Sequence, residues 1–206
     1  MFETPQIGTF LGTLKNGFTR RRALLIIPFA FAGIVVLATR RSGDSEVSAS
    51  VGDSSEEITI VEFSDSGQKL GPARVKKVVH SSGEWRKQLN AEQFYVTRQQ
   101  GTDVAFSGTY YQIHQDGIFR CIGCGDAVFN SDTKFDSGTG WPSFWAPIAE
   151  ENVRTRSDFS LLVKRTEVHC TRCDAHLGHV FDDGPEPTNL RYCINESSLR
   201  FIPRGA

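Results

Sequence analysis

The chain has 206 residues, of which 39% are hydrophobic and 15 are Phe, enough for one ordinary domain with a real core plus appendages. Its formal net charge of -1 excludes the broadly basic surface that indicates a nucleic-acid partner. Five cysteines are the informative count, because four form two C-x-x-C pairs and the fifth, Cys193, is left over as a candidate reactive thiol.

An uncharged apolar stretch, residues 23–39, lies near the N-terminus between two clusters of arginine. At about 1.5 Å per residue, a helix of this length spans about 25 Å, at the short edge of what crosses a bilayer. A helix in a soluble core would normally show a polar face, and this stretch has none. We therefore predict that residues 1–41 hold an N-terminal apolar helix that serves as an export signal or a membrane anchor.

Two forms of this targeting segment stay open. The arginines at 20–22 resemble a twin-arginine signal, with small residues for cleavage at 47–49, whereas Arg40 and Arg41 are compatible with a permanent anchor. The basic excess on the N-terminal flank favours a catalytic domain on the periplasmic or extracytoplasmic side.

Residues 42–80 are predicted to be a mostly disordered linker, because their first half is Ser-rich, acidic and almost free of large apolar groups. Within this range, residues 58–63 alternate weakly and are a candidate short strand. The globular domain is predicted to cover residues 81–206.

The globular domain is expected to be mostly β (α+β), with two antiparallel sheets and a few short peripheral helices. Residues 84–89 and 91–100 read as helices, the second with Asn90 as its N-cap and Gly101 as its stop. After Gly101, short runs rich in Tyr, Phe, Val and Ile are broken by Gly, Asp and Pro, which is typical of hairpins.

The two C-x-x-C pairs predict a structural zinc site that staples two hairpin turns together. Each pair presents two thiolates on one tight turn, and two pairs make a closed four-sulfur shell without an open catalytic position. Two disulfides or a dithiol redox motif are the alternatives, and His169 could replace one sulfur as a ligand. The predicted ligands of this single zinc ion are Cys121, Cys124, Cys170 and Cys173.

Cys193 lies in a short strand-like segment whose period of two places Arg191, Cys193 and Asn195 on one face. A neighbouring cation lowers the pKa of a thiol and raises its thiolate fraction, which a nucleophile requires. The alternative is an unreactive buried cysteine. The polar neighbours favour the nucleophile.

Two further groups are candidates for the same site. His176 and His179 could act as acid or base near neutral pH, although a structural pair is equally compatible with the sequence. A loop with Gly and Pro carries Trp141, Phe144 and Trp145, and its aromatic rings could line a small apolar pocket or cap the edge of the core.

Four stretches carry a family resemblance: CIGCG, KFDSGTGWPSF, VHCTRCDAHLGHVFDDGP and LRYCINESSLRFIP. In this order they resemble the type B methionine sulfoxide reductases over about residues 83–203. The resemblance implies a fold of two antiparallel sheets and the reduction of methionine-R-sulfoxide in oxidised proteins, a repair reaction under oxidative stress.

The resemblance also implies roles for single residues. Cys193 matches the nucleophile that attacks the sulfoxide sulfur and becomes a sulfenic acid, and Trp141 matches the aromatic that receives the methyl group of the substrate. Phe144 is expected beside it. The polar shell around the nucleophile matches His176, His179, Asn195 and Arg191, and the zinc ligands of the metal-binding members match Cys121, Cys124, Cys170 and Cys173.

One position departs from many members of that family, which carry a resolving cysteine where this chain has Thr139. With four cysteines assigned to metal, no thiol remains for an intramolecular disulfide. We therefore predict a one-cysteine cycle in which an external thiol, thioredoxin or a thioredoxin-like protein, resets the sulfenic acid.

The rival interpretation is a non-catalytic zinc-ribbon interaction module. It explains the paired cysteines but leaves Cys193, the GWPSF loop and both histidines without a role. A zinc hydrolase would need an open metal position, which four thiolates do not leave. The enzyme is expected to be a monomer.

Overall fold

The structure is a computed structural model that describes residues 56–159 and 164–205. The described part of the chain begins with a β-hairpin. Strands β1 (Glu57–Phe63) and β2 (Lys69–Lys76) pair antiparallel. The predicted strand at 58–63 is confirmed, but a mostly disordered linker is wrong for residues 57–76. The β-branched side chains Ile58, Ile60 and Val61 of β1 are buried. The free energy gained by their burial offsets the conformational entropy lost when the hairpin becomes ordered.

A buried amide joins this hairpin to the rest of the domain. Val61 lies opposite Pro72, which has no N–H to offer the ladder. The outward backbone groups of Val61 are satisfied by Asn152, whose Oδ1 accepts from the Val61 N–H at 2.8 Å and whose Nδ2 donates to the Val61 carbonyl at 2.8 Å. The same Nδ2 donates to the Ala127 carbonyl at 2.7 Å. The Asn152 side chain therefore acts as a short substitute for a neighbouring strand.

Two short helices follow, α1 (Ser82–Gln88) and α2 (Ala91–Gln99), within two residues of the predicted bounds. Asn90 caps α2 as predicted, since its side chain accepts from the N–H of Gln93 at 2.8 Å. Gln100 takes the left-handed conformation that ends the helix, one residue before the predicted glycine stop.

All remaining strands are antiparallel and form two larger sheets, so the described residues hold three sheets rather than the predicted two. The three-stranded sheet has the order β11-β3-β4, and its strands are β3 (Gly117–Cys121), β4 (Ala127–Asn130) and β11 (Leu199–Pro203). The six-stranded sheet has the order β5-β6-β10-β9-β8-β7. Its strands are β5 (Lys134–Phe135), β6 (Ser143–Phe144), β7 (Val153–Asp158), β8 (Arg165–Cys170), β9 (His176–Phe181) and β10 (Arg191–Ile194).

An aromatic core joins the two larger sheets. The rings of Phe129 and Phe144 stack with centroids 4.5 Å apart, and Phe119 meets Phe144 edge to face at 5.0 Å. All three side chains are fully buried. Such pairs add to the free energy gained by burial, so this core gives the sheet that carries Cys193 a rigid support.

The predicted N-terminal apolar helix within 1–41 and the first part of the predicted linker, 42–55, lie outside the described residues. Among the residues that the structure does describe, no helix is both long enough and apolar enough to cross a membrane.

Candidate active site

Cys193 lies on β10 between two neighbouring strands of the six-stranded sheet. It pairs with His179 of β9 on one side and with Ser143 of β6 on the other. A Cβ atom at Gly178 would lie 2.1 Å from the Cys193 carbonyl oxygen, so only glycine permits this close approach. The side chain of Cys193 is half-buried and reaches a small cavity.

The cavity has a volume of about 130 Å³. An apolar cavity of roughly 150 Å³ holds a benzene-sized molecule, so the space here fits the end of one side chain rather than a whole residue. Its lining residues combine a sulfur, two aromatic rings and a few polar groups: Thr102, Trp141, Arg165, Gly178, His179, Phe181, Cys193 and Asn195.

Two walls of the cavity are tied to the backbone of one residue, Asp103. The indole Nε1 of Trp141 donates to the Asp103 carbonyl at 3.0 Å. The side-chain oxygen of Asn195 accepts from the Asp103 N–H at 3.0 Å, while its Nδ2 donates to the Leu177 carbonyl at 3.1 Å. The ring and the amide are thereby held in fixed orientations beside the thiol, as a preorganised site requires.

Each histidine of β9 is held by a carboxylate from another strand of the same sheet, Asp158 of β7 for His179 and Glu167 of β8 for His176. His179 lines the cavity, and its Nε2 lies 2.8 Å from Oδ2 of Asp158, which also pairs with Arg165 at 2.6 Å. His176 is buried behind it, with its Nδ1 2.7 Å from Oε1 of Glu167 and its ring centroid 5.3 Å from that of His179. Burial lowers the pKa of His176, so this ring is neutral near pH 7.

The electrostatic surroundings of Cys193 differ from the sequence expectation. Arg191 and a hydrogen bond from Thr139 both lower the pKa of the Cys193 thiol, but burial is the largest effect and raises it above the usual value. Arg191 is itself held by a bidentate pair with Asp183, at 2.8 Å for each contact. The resting thiol is therefore protonated near neutral pH, and the predicted depression of its pKa by Arg191 is outweighed.

Thr139 occupies the place of the expected second thiol, with its Oγ1 4.0 Å from the Cys193 sulfur. Hydroxyl contacts continue from Thr139 to Ser137 and from Ser137 to Ser143, each at 2.8 Å. A hydroxyl cannot form a disulfide, so the group nearest to the sulfur on this side is a hydrogen-bonding partner and not a resolving residue.

The four remaining cysteines form a separate cluster at the turns after β3 and β8. Their sulfur atoms all lie within 4.8 Å of one another. The Sγ atoms of Cys121 and Cys173 are 3.6 Å apart, and those of Cys124 and Cys170 are 3.5 Å apart. A disulfide needs about 2.05 Å, whereas a tetrahedral zinc site with bonds of about 2.3 Å places its sulfurs about 3.8 Å apart. The residues fit a four-sulfur metal site, and the disulfide alternative is not formed.

One cation supports this cluster from α2. Arg98 donates to the carbonyl of Cys173 at 2.7 Å and approaches its sulfur at 3.4 Å. The guanidinium also stacks on Trp85 of α1, 3.6 Å from the ring centroid. Both helices are therefore fastened to the cysteine cluster through charge-assisted contacts.

Comparison with known proteins assigns the amino-acid sequence to one family. The family model described as the SelR domain matches residues 89–203. A peptide methionine sulfoxide reductase MsrB of Hahella chejuensis is 54% identical over 125 residues, which are 61% of this chain and 90% of the relative. The MsrB of Pseudomonas aeruginosa is 52% identical over 130 residues, 63% of this chain and 98% of the relative. The chloroplastic peptide methionine sulfoxide reductase B1 of Oryza sativa is 56% identical over 118 residues, 57% of this chain and 55% of the relative.

The chain belongs to the type B methionine sulfoxide reductases, the SelR-domain family. The SelR family model covers more than half of the chain, and its match begins after β1 and β2. The hairpin at 57–76 is thus an addition in front of the matched domain.

Of the side chains predicted for the site of this reductase, the structure brings four to the cavity: Cys193, Trp141, His179 and Asn195. Arg191 acts on Cys193 without lining the cavity, and His176 stands behind His179. The prediction that Phe144 binds substrate is wrong. On β6, Phe144 pairs with Tyr192 and only Ser143 pairs with Cys193, so the Phe144 side chain points to the opposite face and is fully buried in the core.

Other parts of the reductase site were missed in the sequence. Thr102, Arg165 and Phe181 line the cavity, and Asp158 and Glu167 hold the two histidines. A cavity-facing Phe181 could have been found from the period of two on β9, since it follows His179 by two residues. The carboxylates carry no local signal, because their partners lie on other strands.

Proposed function

We propose that Cys193 carries the methionine sulfoxide reduction of this family, acting on the R epimer in oxidised proteins. The observation that supports this most is the half-buried sulfur in a cavity shared with an indole, an imidazole and an amide. The cavity admits one side-chain end, which suits an oxidised methionine presented by a polypeptide.

In the proposed reaction, the Cys193 sulfur attacks the sulfoxide sulfur and the oxygen passes to the enzyme. The sulfur–oxygen bond of the substrate breaks, and a new sulfur–oxygen bond forms on Cys193. Methionine sulfoxide gains two electrons and becomes a thioether, while the thiol becomes a sulfenic acid. The proton of the thiol balances the oxygen, so no external proton is consumed in this half-reaction.

Substrate binding and proton transfer are assigned to different side chains around the cavity. Trp141 takes the terminal methyl group against its ring face, and Asn195 orients the sulfoxide. His179 moves the proton to the sulfoxide oxygen, with Asp158 fixing the orientation of its ring. His176 is a positioning residue, since it meets Glu167 and the ring of His179 but does not line the cavity.

The sulfenic acid is reset by an external thiol. That thiol attacks Cys193, releases water and forms a mixed disulfide, which a second thiol reduces. Thr139 supports this one-cysteine cycle, because it stands 4.0 Å from the sulfur where an internal partner would be needed. Thioredoxin or a thioredoxin-like protein is the proposed donor.

We assign one structural zinc ion to Cys121, Cys124, Cys170 and Cys173. When bound, it links the turns after β3 and β8 and contributes to the stability of the fold. All four positions of its shell are filled by protein, so it takes no part in the reaction.

Turnover of purified R and S sulfoxide epimers tests this function. The wild type is expected to reduce the R epimer with dithiothreitol or thioredoxin, and the Cys193→Ser variant is expected to lose that activity. A zinc-ribbon interaction module, the alternative function, has no such activity to lose. Retention of the full rate in Cys193→Ser would contradict the proposal.

We further propose that residues 1–41 export or anchor the protein, with the catalytic domain on the extracytoplasmic side. The support is the apolar stretch at 23–39 with its flanking arginines. Fractionation with an alkaline carbonate wash separates a released product from an anchored one. Recovery of the full-length chain with the cytoplasm would contradict this location.

A further inference from the structure

Large hydrophobic side chains are exposed on segments of the chain that adjoin residues of the cavity. Among the described residues, Val104 is 75% exposed, Phe106 58% and Phe159 66%. Val104 follows Asp103, whose carbonyl holds Trp141, and comes two residues after Thr102 of the cavity lining. Phe159 follows Asp158, the partner of His179. Of these, Val104 and Phe106 share one loop, and exposed apolar groups beside a binding cavity indicate a contact surface.

The loop that carries Val104 and Phe106 is firmly held. The Asp103 carboxylate accepts from the Ser197 N–H at 2.9 Å, just after the strand that bears Cys193. At the other end of the loop, the Glu196 carboxylate accepts from the N–H groups of Thr109 and Tyr110, at 2.6 Å each. The exposure of Val104 and Phe106 is therefore built into an anchored loop and does not come from a lack of contacts.

Phe106 also has an unfavourable backbone conformation. Its φ is +63°, in the left-handed region that bulky side chains rarely adopt. Its N–H donates to the Gly140 carbonyl at 3.0 Å, and a Cβ atom at Gly140 would lie 2.7 Å from the ring of Phe106. Gly140 directly precedes Trp141. Strained residues that the surrounding structure enforces cluster at ligand-binding sites, and this one presents its ring beside the cavity wall.

We propose that Val104 and Phe106 form a docking surface for an apolar side chain that flanks the oxidised methionine in the substrate polypeptide. This rests on the proposed function and adds a sequence preference to it: an apolar residue beside the oxidised methionine. An extended chain advances about 3.3 Å per residue. We therefore expect a side chain one to three residues from the sulfoxide to reach this loop, which is tied to Trp141 through the Asp103 carbonyl.

The chemistry of the substrate agrees with this surface. Methionine is among the residues most often buried, so its sequence neighbours are frequently apolar as well. Oxidation turns its side chain polar and disrupts packing, which brings those neighbours into solvent together with the sulfoxide. An exposed Val and Phe on the loop that is hydrogen-bonded to Trp141 and Gly140 would make the binding of such neighbours more favourable and offer nothing to a charged flank.

Two substrates distinguish this surface from the cavity itself. One is a peptide with Val and Leu beside methionine-R-sulfoxide, and the other is N-acetyl-methionine-R-sulfoxide, which has no flanking side chains. The variants are Val104→Ser and Phe106→Asn, the latter because Asn tolerates a left-handed backbone. Leu70→Ser is the matched control, since Leu70 is 61% exposed but lies on the β1–β2 hairpin.

Each docking variant is expected to lower kcat/KM for the peptide about three- to tenfold through KM. The small substrate is expected to change less than about twofold, and Leu70→Ser to change neither. Equal losses on both substrates, or no loss on the peptide in Val104→Ser, would overturn the docking surface. A wild type that reduces neither substrate would instead refute the proposed function itself.

Discussion

The Nε2 atom of His179 lies 2.8 Å from Oδ2 of Asp158, at the edge of the cavity that holds the Cys193 sulfur. A carboxylate in this position fixes which ring nitrogen carries a proton and how the ring is turned. The proton transfer proposed for His179 therefore depends on a residue from β7, two strands away in the sheet.

Replacing Asp158 by Asn should slow the reaction without unfolding the protein. We expect kcat for methionine-R-sulfoxide to fall about tenfold or more, because an amide supports the wrong ring orientation or tautomer. Asp182→Asn, an exposed neighbour of β9, is the control and should keep the wild-type kcat. An unchanged kcat in Asp158→Asn would show that His179 needs no carboxylate partner.

The rate at which Cys193 is alkylated should rise with pH over a higher range than for an ordinary thiol, because Cys193 is partly buried. Only the thiolate is alkylated quickly, and burial raises the pKa of Cys193 above the usual thiol value. The rate of alkylation by iodoacetamide should therefore keep rising as the pH passes about 8.5, where an ordinary free cysteine reaches its midpoint.

Two variants should move this profile in opposite directions. Arg191 lowers the pKa of Cys193, and Asp183 raises it. Arg191→Met should thus shift the alkylation profile to higher pH and Asp183→Asn to lower pH, with Cys193→Ser as the blank. Identical profiles for both variants would mean that neither charge reaches the sulfur.

The sequence was informative wherever the determining contacts are local. Asn90 and the helix that it caps are neighbours in the chain, so the cap was correctly predicted. The four clustered cysteines were recognised because each C-x-x-C pair sits on one turn, and their sulfur atoms lie close enough together to hold a metal ion. Cys193 was singled out by its polar neighbours on a single strand, although the net sign of its pKa shift required knowledge of its burial.

The features that the sequence left hidden depend on distant partners. β2 contains Gly71 and Pro72, and it is a strand only because β1 pairs with it while Asn152, far along the chain, satisfies Val61. Phe144 was misassigned because the pairing of β6 with β10 decides which of Ser143 and Phe144 faces the cavity side. The carboxylate partners of the histidines likewise come from other strands.

Removal of a metal ligand should damage the fold rather than the chemistry alone. Cys124→Ser is expected to lose most of the bound metal, from one ion per chain in the wild type, and to lower Tm markedly, because metal binding is part of the folding free energy. Cys193→Ser should keep both the metal and Tm. Full metal content in Cys124→Ser would contradict a four-sulfur site, as would zinc-free wild-type protein with an unchanged Tm.

Asn152 should matter for stability far more than its neighbours. Asn152→Leu leaves the buried N–H and carbonyl of Val61 and the carbonyl of Ala127 without this partner. Each of these three unsatisfied groups costs about 1–3 kcal/mol, so the free energy of unfolding in urea should fall by about 3 kcal/mol or more. Exposed Glu151→Ala, the adjacent control, should change it by less than about 0.5 kcal/mol.

The most direct test of the central claim is a single turnover without reductant, with the enzyme in excess over a methionine-R-sulfoxide peptide. Mass spectrometry of the peptide that contains Cys193 should then show one added oxygen for each methionine formed, and treatment with dimedone should replace that oxygen by a dimedone adduct on Cys193, with release of water. The Cys193→Ser variant should release none. Methionine formation with the oxygen on another residue, or with an unmodified Cys193, would contradict the account.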